Sequence, residues 1–291
     1  DLTYPAQWLG SGPQDLARLL RDGGDALETL KGAQRPIVLV GQGAVARSDG
    51  AQVLRLAGEL TARIGAVKPD WNGFAMLHSA AARVAGLDLG FLPGPSGLDA
   101  AGMVAGLSTG QLSALLLLGV DELPIPRDRG GTVIYLGSHG DRGASAADII
   151  LPAAAYTEKA ATWVNTEGRV QYGQRAAFPK GEAREDWAIL RALSERIGKT
   201  LPYDDLAALR SKMIADHPTF GAVDYAPGAA DSVGFDPVRL GAAGEVSSAP
   251  FVSPVTDFYL TNPIARASIT MAACARARDS QSMAAARTAA E

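Results

Sequence analysis

The opening thirty residues set Leu16, Leu19, Leu20, Leu27 and Leu30 near a 3.6-residue period, and Gly23-Gly24 interrupts the stripe. That pattern predicts two short helices. Pro36-Ile-Val-Leu-Val40 follows, a wholly apolar run of the kind a buried parallel strand uses, and Gly41-Gln-Gly-Ala comes straight after it. Asp49 stands where it can cap the next helix, whose apolar stripe is Val53, Leu56, Leu60 and Ile64. Ala66-Val-Lys68 reads as a weak strand and Phe74 to Val84 as a helix. Leu87 to Gly97 is a Gly/Pro loop, and Leu98 to Leu107 a further helix. Ala114 to Val120 is the strongest strand pattern in the chain, and Thr132–Leu136 and Asp148–Leu151 complete the series. Short apolar strands alternating with helices imply βαβ units, so the fold class is α/β: a Rossmann-like parallel sheet with flanking helices.

Beyond Pro152 the texture changes. Residues 156–180 are polar and turn-rich. Glu182 to Gly198 then reads as an amphipathic helix, with acidic residues early, Trp187, Leu190, Leu193 and Ile197 inside, and Gly198 at its stop. A second helix from Asp205 to Asp216 ends at His217-Pro218, because the residue before a proline is pushed out of helical geometry. Residues 221–250 are rich in Gly, Ala, Pro and Ser and read as irregular surface chain. Asn262 as N-cap and Pro263 at the first turn open an Ala-rich helix. The expected organisation is an N-terminally truncated α/β domain over 1–180 and a helical and irregular extension over 181–291.

Composition narrows the function. With 47% apolar and 20% charged residues, the 291-residue chain can bury a proper core. Its net charge of −4 supplies no basic field, which argues against nucleic acid and anionic lipid as partners. Ala100 to Val120 carries no charge and approaches membrane-spanning length, but Gly106-Leu-Ser-Thr-Gly-Gln111 breaks it into a short helix and a strand. Cys274 is the sole cysteine, so a disulfide within the chain and a multi-cysteine zinc or iron–sulfur site are both impossible. His78, His139 and His217 lie far apart and make a poor metal set, and a reducing compartment is the default. Asp1 is not an initiator Met, and no signal-peptide order follows it, so the N-terminus reads as a cut through a longer polypeptide.

Four places carry candidate chemistry. Gly41-Gln-Gly43-Ala-Val-Ala46 matches G-x-G-x-x-A, whose glycines would admit a pyrophosphate to a helix N-terminus. Its ribose-binding acid is poorly placed, since Glu59 falls within a helix and Asp70 comes late; a plain structural turn explains the glycines better. Asp121 and His139 follow strand ends, where open α/β sheets bind ligands, and there an aspartate can accept from a pterin edge and a histidine can move a proton. The bland alternative makes both exposed loop residues. Asn165, Glu167 and Arg169 straddle Gly168 in the densest polar stretch, which would either close over a cofactor or neighbouring subunit, or pin its own turn. Glu185-Asp186 complements a helix dipole, and Cys274, without a neighbouring His, reads as a structural thiol.

Asp148-Ile-Ile-Leu-Pro-Ala, Tyr156-Thr-Glu-Lys and Asn165-Thr-Glu-Gly-Arg-Val-Gln171 together resemble the late α/β domain of the molybdopterin oxidoreductase superfamily. Trp71-Asn, Leu87-Asp-Leu-Gly-Phe-Leu-Pro-Gly94 and the stretch from Asp257 to Ala275 are similar to the large peripheral-arm subunit family of respiratory complex I, the NADH-quinone oxidoreductases. In that family this α/β domain is a scaffold without molybdenum. The resemblance therefore implies a subunit-docking portion of an enzyme that passes electrons from NADH to quinone and translocates protons. It implies 2Fe-2S and 4Fe-4S clusters in the intact subunit and none in this portion. No catalytic, cofactor-binding or metal-binding residue transfers to any position here. The implied partners are other peripheral-arm subunits, without nucleic acid and without a direct membrane span. The implied location is the cytoplasmic face of a bacterial inner membrane, or the mitochondrial matrix side. Two alternatives stay open: an active molybdopterin enzyme using Asp121 and the 165–171 loop, and a dinucleotide or flavin enzyme using Gly41 and Gly43.

Overall fold

The computed structural model describes residues 4–228, 231 and 234–290, with side chains to Ser280, and gathers them into two compact units. The first takes the chain through Asp88, Trp163–Gln171 and Ala222–Pro254. It opens on α1 (Pro13–Asp22) and α2 (Asp25–Lys31), parted by Gly23 and Gly24 at φ 75° and 113°. Those angles are nearly closed to any residue with a Cβ, so the Gly-Gly break divides the helix as its sequence implies. Then come β1 (Val38–Gly41), α3 (Gln42–Val45) and α4 (Gly50–Arg63). Asp49 occupies the N-cap position of α4, yet its carboxylate does not cap: it accepts from Arg47 and from the Ser247 amide instead. Leu27, Ile64 and Ala66 are fully enclosed, with Leu19, Leu30, Val38 and Leu60 packed round them.

In this unit one expectation holds with a different pairing and one fails in part. The Ala66–Lys68 strand does form, as β2 (Val67–Lys68), but it pairs antiparallel with β3 (Trp71–Asn72) and stands outside the parallel series. Residues 74–77, expected as helix, are β4 (Phe74–Leu77), parallel to β1 with Val38 opposite Phe74 and Gly41 opposite Leu77. A four-residue apolar run fits either period, and the free edge of β1 decides between them. Gly73 leads into the strand, accepting from the Val38 amide at 2.7 Å and donating to Ala66 O at 2.7 Å. Only α5 (Arg83–Asp88) keeps the helical part of that expectation.

The second unit takes Leu89–Thr162, Tyr172–Gly221 and Val255 onward. Asp99 caps α6 (Ala100–Thr109) by accepting from the Gly102 amide at 2.7 Å, and Gly110 ends it in the left-handed region. The uncharged stretch is thus a ten-residue helix followed by a strand, and no helix among the described residues is long and apolar enough to cross a membrane. Strands β5 (Ala114–Leu118), β6 (Thr132–Gly137) and β7 (Ile149–Pro152) pair in parallel in that order, and α7 (Arg142–Ala146) joins the last two. Leu107, Leu115, Leu117, Val133 and Tyr135 form the core, each burial worth roughly 1.5–3 kcal/mol for a large apolar side chain. The parallel α/β class therefore holds, with its pairing divided between a two-stranded and a three-stranded sheet.

Residues 156–180 contain more regular structure than their polarity suggests: β8 (Ala161–Val164) and β9 (Val170–Gly173) make a separate two-stranded ribbon. Next come α8 (Asp186–Arg196), with Ile197 beyond its end and 66% exposed rather than inside, and α9 (Leu206–Asp216), capped by Asp205. Asn262 caps α10 (Pro263–Ala267) through the Ala265 amide at 2.9 Å, as its sequence predicts. The Ala-rich run is not one helix. Ser268 turns extended at ψ 121° and α11 (Ile269–Ala290) starts afresh, with the Met271 amide donating to Ser268 Oγ.

Candidate functional site

Open α/β sheets bind ligands beyond the carboxyl ends of their strands. In the second unit that crest carries Asp121, two residues past the positive-φ turn at Gly119. Asp121 is 1% exposed, which corrects its reading as a loop-surface residue. Its Oδ1 accepts from the Gly143 amide at 3.2 Å and its Oδ2 from the Tyr135 hydroxyl at 3.1 Å, while that hydroxyl also lies 3.2 Å from His139 O. A Cβ on Gly143 would stand 3.0 Å from Asp121 Oδ1 and crowd the core ring of Tyr135 at 2.8 Å, so the first turn of α7 needs glycine there. Burial, and then the facing Asp121 charge, push the Tyr135 phenol far above its ordinary value. Both Asp121 oxygens thus serve the fold.

Beside this knot, Asp141 accepts from the Arg142 amide at 2.9 Å and pairs closely with Arg266 of α10. The Arg266 hydrogen bond is the main cause holding the Asp141 carboxyl below its ordinary range. Arg266 also lies 3.9 Å from Glu122 and donates to Leu260 O at 3.3 Å. His139 is half-buried, with Nδ1 2.9 Å from Ser138 Oγ, and among the described residues no carboxylate orients it. Arg266, from a later part of the chain, thus spans two acids of the crest.

The crest of the first unit is closed in a similar way. After β1, Gln42 Oε1 accepts from the amide and hydroxyl of Ser79, each at 2.9 Å, tying the turn after β1 to the turn after β4. A Cβ at Gly43 would lie 2.5 Å from Cδ and Cγ of Pro254. The close approach that a pyrophosphate would need is therefore taken by a proline ring. Arg47 and Asp49 fasten the same segment: Asp49 accepts from the Ser247 amide at 2.7 Å, Arg47 donates to Ala249 O at 3.1 Å, and the guanidinium lies 5.4 Å from the Phe251 ring centroid. The Arg47 hydrogen bond holds the Asp49 carboxyl below its ordinary range, with the Ser247 amide adding to it.

The 165–169 loop pins itself. Asn165 Oδ1 accepts from the amides of Glu167 at 2.9 Å and Arg169 at 3.0 Å, Gly168 supplies φ 82°, and Arg169 donates to Asp224 O at 2.7 Å. Asn165, Thr166, Trp163 and Gln171 line one wall of a cleft of about 370 Å³ whose other wall includes His78 and Val84; His78 is its one ionisable lining residue, so it offers no acid–base pair. Glu185 and Asp186 open α8, but both are engaged by side chains, Glu185 by Trp187 Nε1 at 2.7 Å and Asp186 by Lys159. Cys274 is a half-buried free thiol in α11. Among the described residues no cluster of three or more His, Cys, Asp or Glu is placed to hold a metal. What sequence reasoning missed are the plugs, Pro254 and Arg266; no local pattern marks either, because each acts on a strand end far away in sequence.

Comparison with known proteins agrees with this architecture. Residues 1–196 match the family model for molybdopterin oxidoreductase, and residues 224–274 match that for the C-terminal region of the NADH-ubiquinone oxidoreductase G subunit. The mitochondrial NADH-ubiquinone oxidoreductase 78 kDa subunit of Candida albicans is 39% identical over 280 residues, which is 94% of this chain and 37% of that protein. The NADH-quinone oxidoreductase G subunit of Rickettsia bellii is 33% identical over 280 residues, covering 96% of this chain and 39% of its own length. The mitochondrial NADH dehydrogenase [ubiquinone] iron-sulfur protein 1 of Solanum tuberosum is 37% identical over 278 residues, covering 94% and 36%. The chain thus spans under two-fifths of the length of these relatives. Strand-end crests on parallel sheets, and a family match running from the first residue through α8, place it: the chain belongs to the molybdopterin oxidoreductase family.

Proposed function

We propose that this chain is the scaffold and subunit-docking portion of the large subunit of an NADH-quinone oxidoreductase, with residues 1–180 as its α/β domain and 181–291 as an extension. The intact enzyme would oxidise NADH, pass electrons to quinone and translocate protons. One observation carries the scaffold role: each strand-end crest, where a family member would take its ligand, is filled by the chain's own later residues, Pro254 in one unit and Arg266 in the other. The residues present do not fit a pterin. Asp121 is enclosed with both oxygens engaged, and Asp141 and Glu122 face an arginine. Neither do they fit a dinucleotide, since Gly43 abuts Pro254.

The names of the relatives support the rest of the reading. Iron–sulfur clusters, 2Fe-2S and 4Fe-4S, would sit elsewhere in the intact subunit, because one cysteine supplies no thiolate set. The partners would be the other peripheral-arm subunits, on the cytoplasmic or matrix face of the membrane. Metal analysis of the intact subunit tests the proposal. Iron in several-fold molar excess, with molybdenum and tungsten below about a tenth of an atom per subunit, is expected; one molybdenum or tungsten per subunit with bound pterin would overturn it.

A further inference from the structure

The approach to the N-terminus of α8 carries a surface that the fold does not use. Phe178 is 78% exposed, and the Arg175 guanidinium lies 4.6 Å from its ring centroid. With Arg184, Glu185 and Trp187 these two residues line a cleft of about 320 Å³. Its walls stand on fixed backbone. The amides of Ala176 and Ala177 donate to Thr157 O at 2.9 and 3.1 Å, which seats the Arg175–Phe178 wall. Arg184 continues the sheet past the end of β7: its amide donates to Pro152 O at 3.1 Å, and its carbonyl accepts from the Ala154 amide at 2.8 Å. Trp187 Nε1 donates to Glu185 Oε2 at 2.7 Å, which holds the indole edge. A cleft formed in advance spares its occupant the entropy of ordering it.

The charges of this cleft are unbalanced. Arg184 spends one N–H on the Ala183 carbonyl at 2.9 Å, and among the described residues no carboxylate pairs with it. Arg175 reaches Glu185 only at 3.9 Å, with its side chain 42% exposed. Glu185 is the one carboxylate in the lining, and its other oxygen is taken by Trp187. Lys180 and Glu182, exposed on the adjoining turn, cancel in charge, and Asp186 pairs with Lys159. Two guanidiniums therefore face a single acid that is already engaged. An apolar cover would bury the Arg184 charge unpaired, so an occupant must bring its own acid. Arg, Phe and Trp are also the residue types enriched where separately folded proteins meet.

We propose that this cleft docks an acidic segment of another subunit of the peripheral arm. An Asp or Glu carboxylate of that segment meets Arg175 and Arg184, whose planar guanidiniums can each take it by two N–H groups. An apolar neighbour of the carboxylate packs against Phe178 and Trp187. The rings shield the ion pair from water and give it a strength that a fully exposed pair lacks. This inference deepens the proposed docking role, on which it rests, by naming a surface and the chemistry of its partner.

The test uses the assembled complex, with a photo-cross-linking benzoylphenylalanine at Phe178 and the products mapped by mass spectrometry. Expected are cross-links to another subunit, in a segment carrying two or more Asp or Glu within a few residues of the linked position. In the same complex Arg184→Gln should lower the yield of that product at least threefold at low salt, and Arg184→Lys should restore most of it. Raising the salt should lower the yield in the unsubstituted chain, through screening, and much less in Arg184→Gln. Hydrogen exchange across α8 should be the same in all three, because the Arg184 side chain contacts only Ala183 O within the fold. No cross-link to another subunit, a link into this same subunit or a second copy, or a linked segment without acids would each overturn the inference. So would a yield indifferent to Arg184→Gln, or one that falls only as α8 loses protection. Those results leave the parent reading standing; failure of the unsubstituted chain to appear in any such complex would overturn that reading and this inference with it.

Discussion

Asp121 separates a structural knot from a ligand site, and its removal should be felt as lost stability. In Asp121→Ala two donors lose their acceptor at once, the Gly143 amide and the Tyr135 hydroxyl. A buried donor left unsatisfied costs about 1–3 kcal/mol. The amide has no alternative partner in the knot and bears that cost in full. The hydroxyl keeps His139 O at 3.2 Å and loses less. The sum is about 2–4 kcal/mol, and Asp121→Asn, which retains one acceptor oxygen, should cost about 1 kcal/mol. Hydrogen-exchange mass spectrometry in graded urea can read this locally, from peptides spanning Ala114–Leu118 and Thr132–Gly137. Protection in both strands should fall in the order wild type, Asn, Ala, and under the proposed function NADH oxidation per assembled complex should be unchanged. Stability changing by less than about 0.5 kcal/mol while turnover collapses would refute the knot, because a side chain facing a ligand behaves in that way.

Two further outcomes follow from the same geometry. Gly43→Ala should destabilise the first unit by about 1–3 kcal/mol through overpacking against the Pro254 ring, less up to about 1 kcal/mol returned by helix propensity. Faster amide exchange across 247–254 would register this loss, and an unchanged exchange rate would show the ring is not seated on Gly43. Tyr135 sets a pH dependence: its phenol is held neutral in the fold, with a pKa above the ordinary 10.0, chiefly by burial and then by Asp121. A folded-state pKa raised above the unfolded value means stability that is intact below pH 10 and declines as pH rises beyond it. Urea midpoints for the second unit should fall above pH 10 in the wild type and less steeply in Tyr135→Phe; parallel curves would discount the buried phenol.

Much of the architecture was legible in the amino-acid pattern, for a local reason. Gly23-Gly24, Asn262-Pro263 and the helix opened by Asp205 act within one or two turns, so sequence neighbours alone specify them. Leu115 and Leu117 mark β5 through apolar character that no surface strand would carry. Phe74–Leu77 was ambiguous because four apolar residues suit both a helix and a strand; the vacant edge of β1 settled it. Asp49 shows the same limit. Its place at the start of α4 was evident, while the use of its carboxylate depended on Arg47 and on a residue almost two hundred positions away.

The family likeness was also legible, because it rests on contiguous motifs such as Asn165 to Gln171. The fate of its ligand crests was not. A glycine at 43 reads identically whether a pyrophosphate or a proline ring approaches it, and an aspartate at 121 reads identically whether it faces a pterin or a tyrosine. Chain-local chemistry determined the helices, the strands and the class of sheet. Tertiary structure alone decided what fills each crest, because Pro254 and Arg266 reach their places only after the chain has folded back on its own strand ends.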